Sequence, residues 1–364
     1  MEFNQHFDYR ILDSLISKNI RFAIYKLARQ QEINLILETS PTSSQIENLS
    51  ELNNKKGFVI APFYISVQTP VAVIYPDVFL TGESNISKYF IENDFHPDQS
   101  HTDISNQPSA DSFRQYAHTY DIFYEALKKG ELQKLVLSRT FDVERKNSFS
   151  AGTAFRKAHE KYDSNFVYLC NTPETGVWMG VSPELLVSEQ NGVYKTVALA
   201  GTRKLSVIDW DTKNQKEQQI VVDYMLQQLD KVGSNIIQRG PFTVQAGAIE
   251  HLKTKFSFNL REDSKIGDLL SLLHPSPAVC GYPKTDASEF ILKNESYERR
   301  YYSGFVGPLN INNNSRLYVN LRCMQIGPDI LRLYAGGGIL TSSRMETEWE
   351  ETEYKLQTIR SIIE

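Results

Sequence analysis

KLVLSRTFDVE, residues 134–144, decides the fold class. In an extended chain Lys134, Val136 and Ser138 fall on one side and Leu135, Leu137 and Arg139 on the other, a period of two that fits a strand and not a helix. Working outward, NFVYLCNT (165–172), TGVWMGVS (175–182), ELLVSEQ (184–190) and VYKTVALAG (193–201) each read as one strand. So do FTVQAGAIEHL (242–252), YYSGFVGPLN (301–310), RLYVNLRCMQI (316–326) and DILRLYAGGGIL (329–340). Gln190-Asn191-Gly192 and Gly327-Pro328-Asp329 supply hairpin chemistry between such runs, which points to large antiparallel sheets. Apolar residues recur at helical spacing over 113–131, and helices are expected near 151–160, 213–232, 264–273 and 346–363. Without strict alternation of strand and helix the pattern is α+β, not doubly wound.

Upstream, ILDSLISKNI (11–20) has the pattern of a short amphipathic helix, and RFAIYKLA, NLILET, GFVIAPFYIS and AVIYPDVFL read as strands. Gly57 to Pro76 carries no charge and approaches bilayer-spanning length, but Pro62, Pro70 and Pro76 would each break a spanning helix. It is expected to form two buried strands joined near Gln68-Thr69-Pro70. Between Gly82 and Ser112 the sequence turns polar, with HPDQSHTDISNQPSADS (96–112) as its centre, and reads as an exposed loop or linker. It divides a β-rich N-terminal segment, 1–110, expected to belong to the same globular unit, from a second segment, 111–364.

The chain of 364 residues is 41% hydrophobic with a net charge of −5, which excludes a disordered or collagen-like protein and makes nucleic acid an unsuitable partner. Cys170, Cys280 and Cys323 are odd in number and widely spaced in apolar segments. That suits reduced core thiols and a cytoplasmic setting better than a disulfide framework or a zinc site. The N-terminus lacks the apolar region of a secretory signal, and no membrane association is expected.

Few residues are distinctive singly. Ala335-Gly336-Gly337-Gly338-Ile339 matches neither dinucleotide nor Walker patterns and suits a strand end that something approaches closely. Glu348, Glu351 and Lys355 share one face of the last helix, either a solvated face or a shelf for a divalent ion. Glu217 reads locally as a surface carboxylate. Lys134 in its apolar run is either an edge residue or a desolvated amine, and desolvation would lower its pKa. Glu184 follows Ser182-Pro183, a common opening of a helical turn. His274 suits a helix C-cap, and His251 is ambiguous. No Ser-His-Asp pattern or HExxH motif is present.

The order of these segments is more specific than any one of them. LQKLVLSR, GVSPELL, LAGTRK, KNQKEQQIVVD, EHL, LLHPSPAVCGYP, YYSGFVG, NLRC, AGGGI and EWEETEYK run collinearly from about Phe113 to the C-terminus. This series resembles the chorismate-utilising enzymes, and most closely the isochorismate synthases. The resemblance implies two large antiparallel β-sheets packed as a sandwich flanked by helices, with 111–364 as the chorismate-binding core and one Mg²⁺ in the cleft. It implies water addition at C2 of chorismate with loss of the 4-hydroxyl. Lys134 matches the family's base and Glu184 its acid, both expected to start uncharged because burial opposes charge on either group. Glu217 and Glu351 match metal carboxylates, with Glu348 reaching the ion through water. Arg322 and Lys355 match carboxylate-binding residues. Gly201, Thr202, His251, Tyr302, Gly336 and Gly338 complete the substrate pocket.

Ala200 stands where aminodeoxychorismate synthases carry a nucleophilic lysine, and HPSPAVCG resembles the isochorismate and salicylate branch. Gln218 departs from a frequent histidine, and GGG from a frequent alanine. A salicylate synthase, an anthranilate synthase component and a catalytically lapsed binding protein are the competing readings. The expected enzyme is a monomer without a glutaminase subunit. Menaquinone and siderophore biosynthesis both use its product.

Overall fold

The computed structural model describes residues 7–40, 46–97, 112–205, 209–246 and 249–364. Among these the strands form two sheets in which every neighbouring pair is antiparallel. The nine-stranded sheet runs Gly281–Tyr282, Lys134–Glu144, Ile330–Ile339, Cys323–Ile326, Gly176–Ser182, Phe166–Thr172, Arg21–Lys26, Ile33–Glu38, Val78–Thr81. The eight-stranded sheet runs Gly233–Ala246, Ile249–Leu260, Val193–Lys204, Leu185–Gln190, Asn314–Val319, Phe305–Leu309, Gly57–Ala61, Ala72–Ile74. Helices are α1 (Ile11–Ser17), α2 (Glu83–Glu92), α3 (Ser112–Lys128), α4 (Ala151–Lys161), α5 (Thr212–Val232), α6 (Ile266–Leu273), α7 (Lys284–Asn294) and α8 (Met345–Ile363).

Side-chain alternation sets the layers. In Arg21–Lys26, Phe22 and Ile24 pack among α1, α2, α4 and α8, while Ala23 and Tyr25 meet Phe58 and Ile60 of the opposite sheet. The space between the sheets is aromatic, with Phe166, Tyr168, Trp178, Tyr301, Tyr302, Tyr318 and Tyr334 buried there. Phe166 and Tyr318 stack at 4.3 Å between ring centroids, bridging the two sheets. Helices α5 and α6 cover the outer face of the eight-stranded sheet, and α3 and α7 pack on Leu135, Leu137 and Ile339. The sandwich flanked by helices is therefore the architecture. Each fully buried Phe or Ile in these layers contributes about 1.5–3 kcal/mol through removal from water.

Six readings of the sequence need correction. RLYVNLRCMQI is not one strand: Asn314–Val319 belongs to the eight-stranded sheet and Cys323–Ile326 to the nine-stranded one, the chain crossing between them at 320–322. AVIYPDVFL divides in the same way into Ala72–Ile74 and Val78–Thr81, with Pro76 in the link. Glu83–Glu92, inside the stretch expected to be a loop, is helix α2, which buries Ile86 and Phe90. FTVQAGAIEHL is not one strand. Gly233–Ala246 ends within it and Ile249–Leu260 begins within it, pairing back from Ala246↔Ile249. Apolar–polar alternation continues across the reversal and hides it. Helix α7 was not expected, because only Ala287 and Ile291 of KTDASEFILKN are buried, too few for a helical stripe to stand out. Ser182-Pro183-Glu184 opens no helical turn. It links two strands, with Ser182 Oγ accepting from the Glu184 N–H at 3.2 Å and donating to the Val319 carbonyl at 2.6 Å.

The uncharged stretch from Gly57 forms two short antiparallel strands, and no described helix is long and apolar enough to cross a membrane. Residues 98–111, the centre of the polar run, lie outside the described residues. The segment before it contributes strands to both sheets: Arg21–Lys26, Ile33–Glu38 and Val78–Thr81 to one, Gly57–Ala61 and Ala72–Ile74 to the other. The three cysteines are buried and free.

Candidate active site

A narrow cleft of about 60 Å³ opens where the Lys134 and glycine strands of one sheet face the Glu184–Thr202 region of the other. Glu184, Gly201, Thr202, Glu217, His251, Tyr302, Arg322, Gly336, Gly338, Glu351 and Lys355 line it. Lys134 and Glu348 stand directly behind that lining. The structure thus brings together around one space the residues that the resemblance assigned to the site, while His274 lies apart from it, its Nε2 2.9 Å from the Pro62 carbonyl oxygen.

The floor is the pairing of Val136, Leu137 and Ser138 with Gly338, Gly337 and Gly336. The glycines leave room for what lies above them, most tightly at Gly338. A Cβ on Gly338 would fall 2.0 Å from Oε1 of Glu217 and 2.9 Å from Cε of Lys134; one on Gly337 would lie 3.3 Å from Glu351 and 3.4 Å from Glu348. The approach predicted for this tract is therefore made by three carboxylates and a lysine.

The carboxylates come from two helices. Helix α5 starts with Asp211 capping the Asn214 N–H at 2.8 Å, and Gln218 ties it to the eight-stranded sheet. Gln218 Oε1 accepts from the Ala200 N–H at 2.9 Å, and its Nε2 donates to the Ala198 carbonyl and Thr254 Oγ1, each at 3.1 Å. The glutamine found in place of histidine is thus the anchor that fixes the adjacent Glu217. Helix α8 supplies Glu348, Glu351 and Lys355 from one face, as their spacing required. Lys355 Nζ donates to the Gly336 carbonyl at 2.7 Å and to Glu351.

Lys134 is fully buried, and its Nζ stands 3.0 Å from Oε1 of Glu217 without hydrogen-bond alignment. Burial pushes the Glu217 carboxyl up, but the ammonium groups of Lys134 and Lys213 outweigh it and hold it near 2. Glu351 is likewise held low against burial, chiefly by Lys355. Glu348 behaves oppositely. Burial, reinforced by Glu351, raises it to about 7, and its Oε2 has no hydrogen-bond partner.

Across the cleft, Gly201 has φ +71° and sits at a bulge between Ala200 and Thr202, a conformation that costs a side-chain-bearing residue. Its carbonyl accepts from Nδ1 of His251 at 3.0 Å, and Thr202 Oγ1 lies 3.2 Å from the same nitrogen. That contact assigns the proton to Nδ1 and leaves Nε2, which has no partner, as an acceptor. Burial, with Arg322 and Lys355, lowers His251 to about 4, so it is neutral at pH 7. Arg322 is buried, with φ +49°.

Glu184 is buried, and desolvation raises it to about 7 despite Lys134, Lys253 and Arg322. A group that is protonated near neutrality in the fold, with an ordinary carboxyl range when unfolded, weakens the fold as pH rises from about 4.5 to 7. Glu184→Gln should therefore raise Tm by a few degrees at pH 8, where folding buries the charge, and leave it nearly unchanged at pH 5. Equal shifts at both pH values, in scanning calorimetry, would count against this assignment.

Magnesium suits the donor set on the observations above. Three buried carboxylates supply hard oxygens, one with an unpartnered Oε2 and a raised pKa that a nearby cation would relieve. Among the described residues no three His, Cys, Asp or Glu side chains form a complete metal cage as they stand. Two features went unnoticed in the sequence. Lys213, one turn before Glu217, reaches Glu217 at 3.6 Å and Glu348 at 3.2 Å; the i, i+4 spacing was the available signal. Tyr116 and Tyr120 of α3 bring hydroxyls without hydrogen-bond partners into the field of Glu348, which no local motif marks.

The family model described as "Chorismate binding enzyme" matches residues 50–364. The chain belongs to the chorismate-binding enzymes. Among relatives, the vibriobactin-specific isochorismate synthase of Vibrio cholerae is 25% identical over 324 residues, covering 85% of this chain and 79% of that protein. Isochorismate synthase EntC of Escherichia coli K12 is 27% identical over 244 residues, 64% of this chain and 62% of its own length. In structure, the menaquinone-specific isochorismate synthase MenF of Escherichia coli superimposes with TM-score 0.78 at 21% identity, over 100% of this chain and 92% of that one. Anthranilate synthase component I of Streptococcus pneumoniae gives 0.70 at 18% identity, covering 93% and 89%. The chorismate-binding fold is thus shared by relatives with different products.

Proposed function

We propose that this chorismate-binding enzyme is a Mg²⁺-dependent isochorismate synthase that adds water at C2 of chorismate as the 4-hydroxyl leaves. The observation that carries the reading is a single cleft holding a buried lysine, a carboxylic acid raised to about 7 and three carboxylates over a glycine floor. The names of the relatives support the same product.

Glu184 is the proton donor to the departing hydroxyl, a role its desolvated carboxyl suits near neutral pH. Lys134 is the base that takes a proton from the attacking water. In this structure its Nζ lies 3.0 Å from Oε1 of Glu217, one of the carboxylates proposed to hold the metal. Glu217 and Glu351 would hold the metal, with Glu348 beside them. Bound Mg²⁺ would supply a positive charge for the ring carboxylate of chorismate and for the departing group. Arg322 offers a planar fork to the second carboxylate, and Lys355 adds charge while fixed by Gly336. His251 presents a neutral acceptor, and Tyr302, Gly201, Thr202, Gly336 and Gly338 shape the pocket. Ala200 leaves no lysine for a covalent route.

The test is incubation of the purified protein with chorismate and Mg²⁺, with products separated by chromatography and identified by mass. Isochorismate without pyruvate is the expected outcome. Salicylate with stoichiometric pyruvate, with no lyase added, would reassign the protein as a salicylate synthase.

A further inference from the structure

Three carboxylates of the cleft, Glu217, Glu348 and Glu351, are matched by three ammonium groups, of Lys134, Lys213 and Lys355. Two of these are fixed from within. Lys134 is wholly buried on its strand, and Lys355 is tied to the Gly336 carbonyl at 2.7 Å. Lys213 differs. Its Nζ lies 3.2 Å from Oε1 of Glu348 and 3.6 Å from Oε2 of Glu217, and among the described residues it has no backbone anchor. It is also the most exposed of the three, at 18% of its side chain against 0% and 11%. Tyr116 and Tyr120 on α3 face the cluster with neutral hydroxyls, so Lys213 is not replaced there by another cation.

A dication added to this balanced group would leave an excess of positive charge in a buried space, which is costly at short range. Of the three ammonium groups, the one with the easiest route to solvent is the one that must leave. We propose that Lys213 is a resident counter-ion of the carboxylate cluster, holding Glu217 and Glu348 together in the metal-free enzyme, and that a divalent cation binds by displacing it. This rests on the metal-dependent reading above. It adds a competitor that the metal must outbid, built one helical turn from a ligand.

The experiment is calorimetric titration of the protein with MgCl₂ alone, without chorismate, for the wild type, Lys213→Gln and Lys213→Arg. Removing one unit of positive charge at about 4 Å in a partly screened site should tighten Kd roughly tenfold in Lys213→Gln, whereas Lys213→Arg should stay near the wild type. An unchanged or weaker Kd in Lys213→Gln overturns the proposal while leaving the metal reading intact. Failure of the wild type and both variants to bind Mg²⁺ overturns the metal reading and this proposal together.

A second measurement uses the unaltered protein. Brief acetylation followed by peptide mass spectrometry should show Lys213 labelled severalfold faster with Mg²⁺ than without, and Lys134 protected in both. Equal labelling of Lys213 in the two conditions overturns the displacement whatever the variants do.

Discussion

Lys134→Ala and Glu184→Gln should each lower kcat by about 100-fold or more, the usual scale for losing one positioned proton-transfer group. The KM for chorismate should change far less, because binding would rest on the metal cluster, Arg322 and Lys355. Both side chains are buried against the cleft, Lys134 on a strand of the nine-stranded sheet and Glu184 in the link that crosses from that sheet to the other. The double variant should be scarcely worse than either single one, since groups serving the same transition state are strongly non-additive. Arg322→Ala should instead act mainly on KM. Steady-state kinetics on folded variants decide the matter. Near-normal kcat in Lys134→Ala would reduce the lysine to a counter-ion of Glu217 and remove the proposed base.

Metal removal should have an effect of comparable size. Chelation is expected to abolish turnover and Mg²⁺ to restore it, with Glu217→Gln and Glu351→Gln each weakening Mg²⁺ binding by about tenfold or more in titration calorimetry. The reason lies in the glycine floor. Glu217 lies over Gly338 and Glu351 over the adjacent Gly337, so two carboxylates from different helices converge on one buried place where a divalent ion could join them. Full activity in excess EDTA would sink the assignment. The folded state should survive both substitutions, because these carboxylates line a cleft and contribute little to the apolar layers.

What could be read in advance depended on how each residue advertises itself. Lys134 was conspicuous because a charge interrupts an alternating apolar strand, and α8 because Glu348, Glu351 and Lys355 repeat at helical spacing. Glu217 was not, since the periodicity of α5 leaves it as one polar residue among many, and only collinear resemblance marked it. Its meaning comes from Gly338, which is 121 positions away in the chain and under its carboxylate in space. Lys213 and Tyr116 share that difficulty in their contact with Glu348 on α8, since no window of sequence contains both ends of it; only the i, i+4 pairing of Lys213 with Glu217 is local. The reversal at Ala246↔Ile249 was lost for a different reason, because the residues on either side of it keep strand chemistry and the alternation never breaks. Composition constrained none of this beyond a folded, mildly acidic chain.

The first eighty residues have a consequence for how this protein can be divided. Their strands lie outermost in both sheets, against Phe166–Thr172 on one side and Phe305–Leu309 on the other. A fragment beginning at residue 111 would keep every side chain proposed for catalysis and still expose two raw hydrogen-bonding borders, each flanked by apolar surface. Such borders invite pairing between molecules. The side chains proposed for catalysis thus lie in one part of the chain, and another part covers the sheet borders beside them.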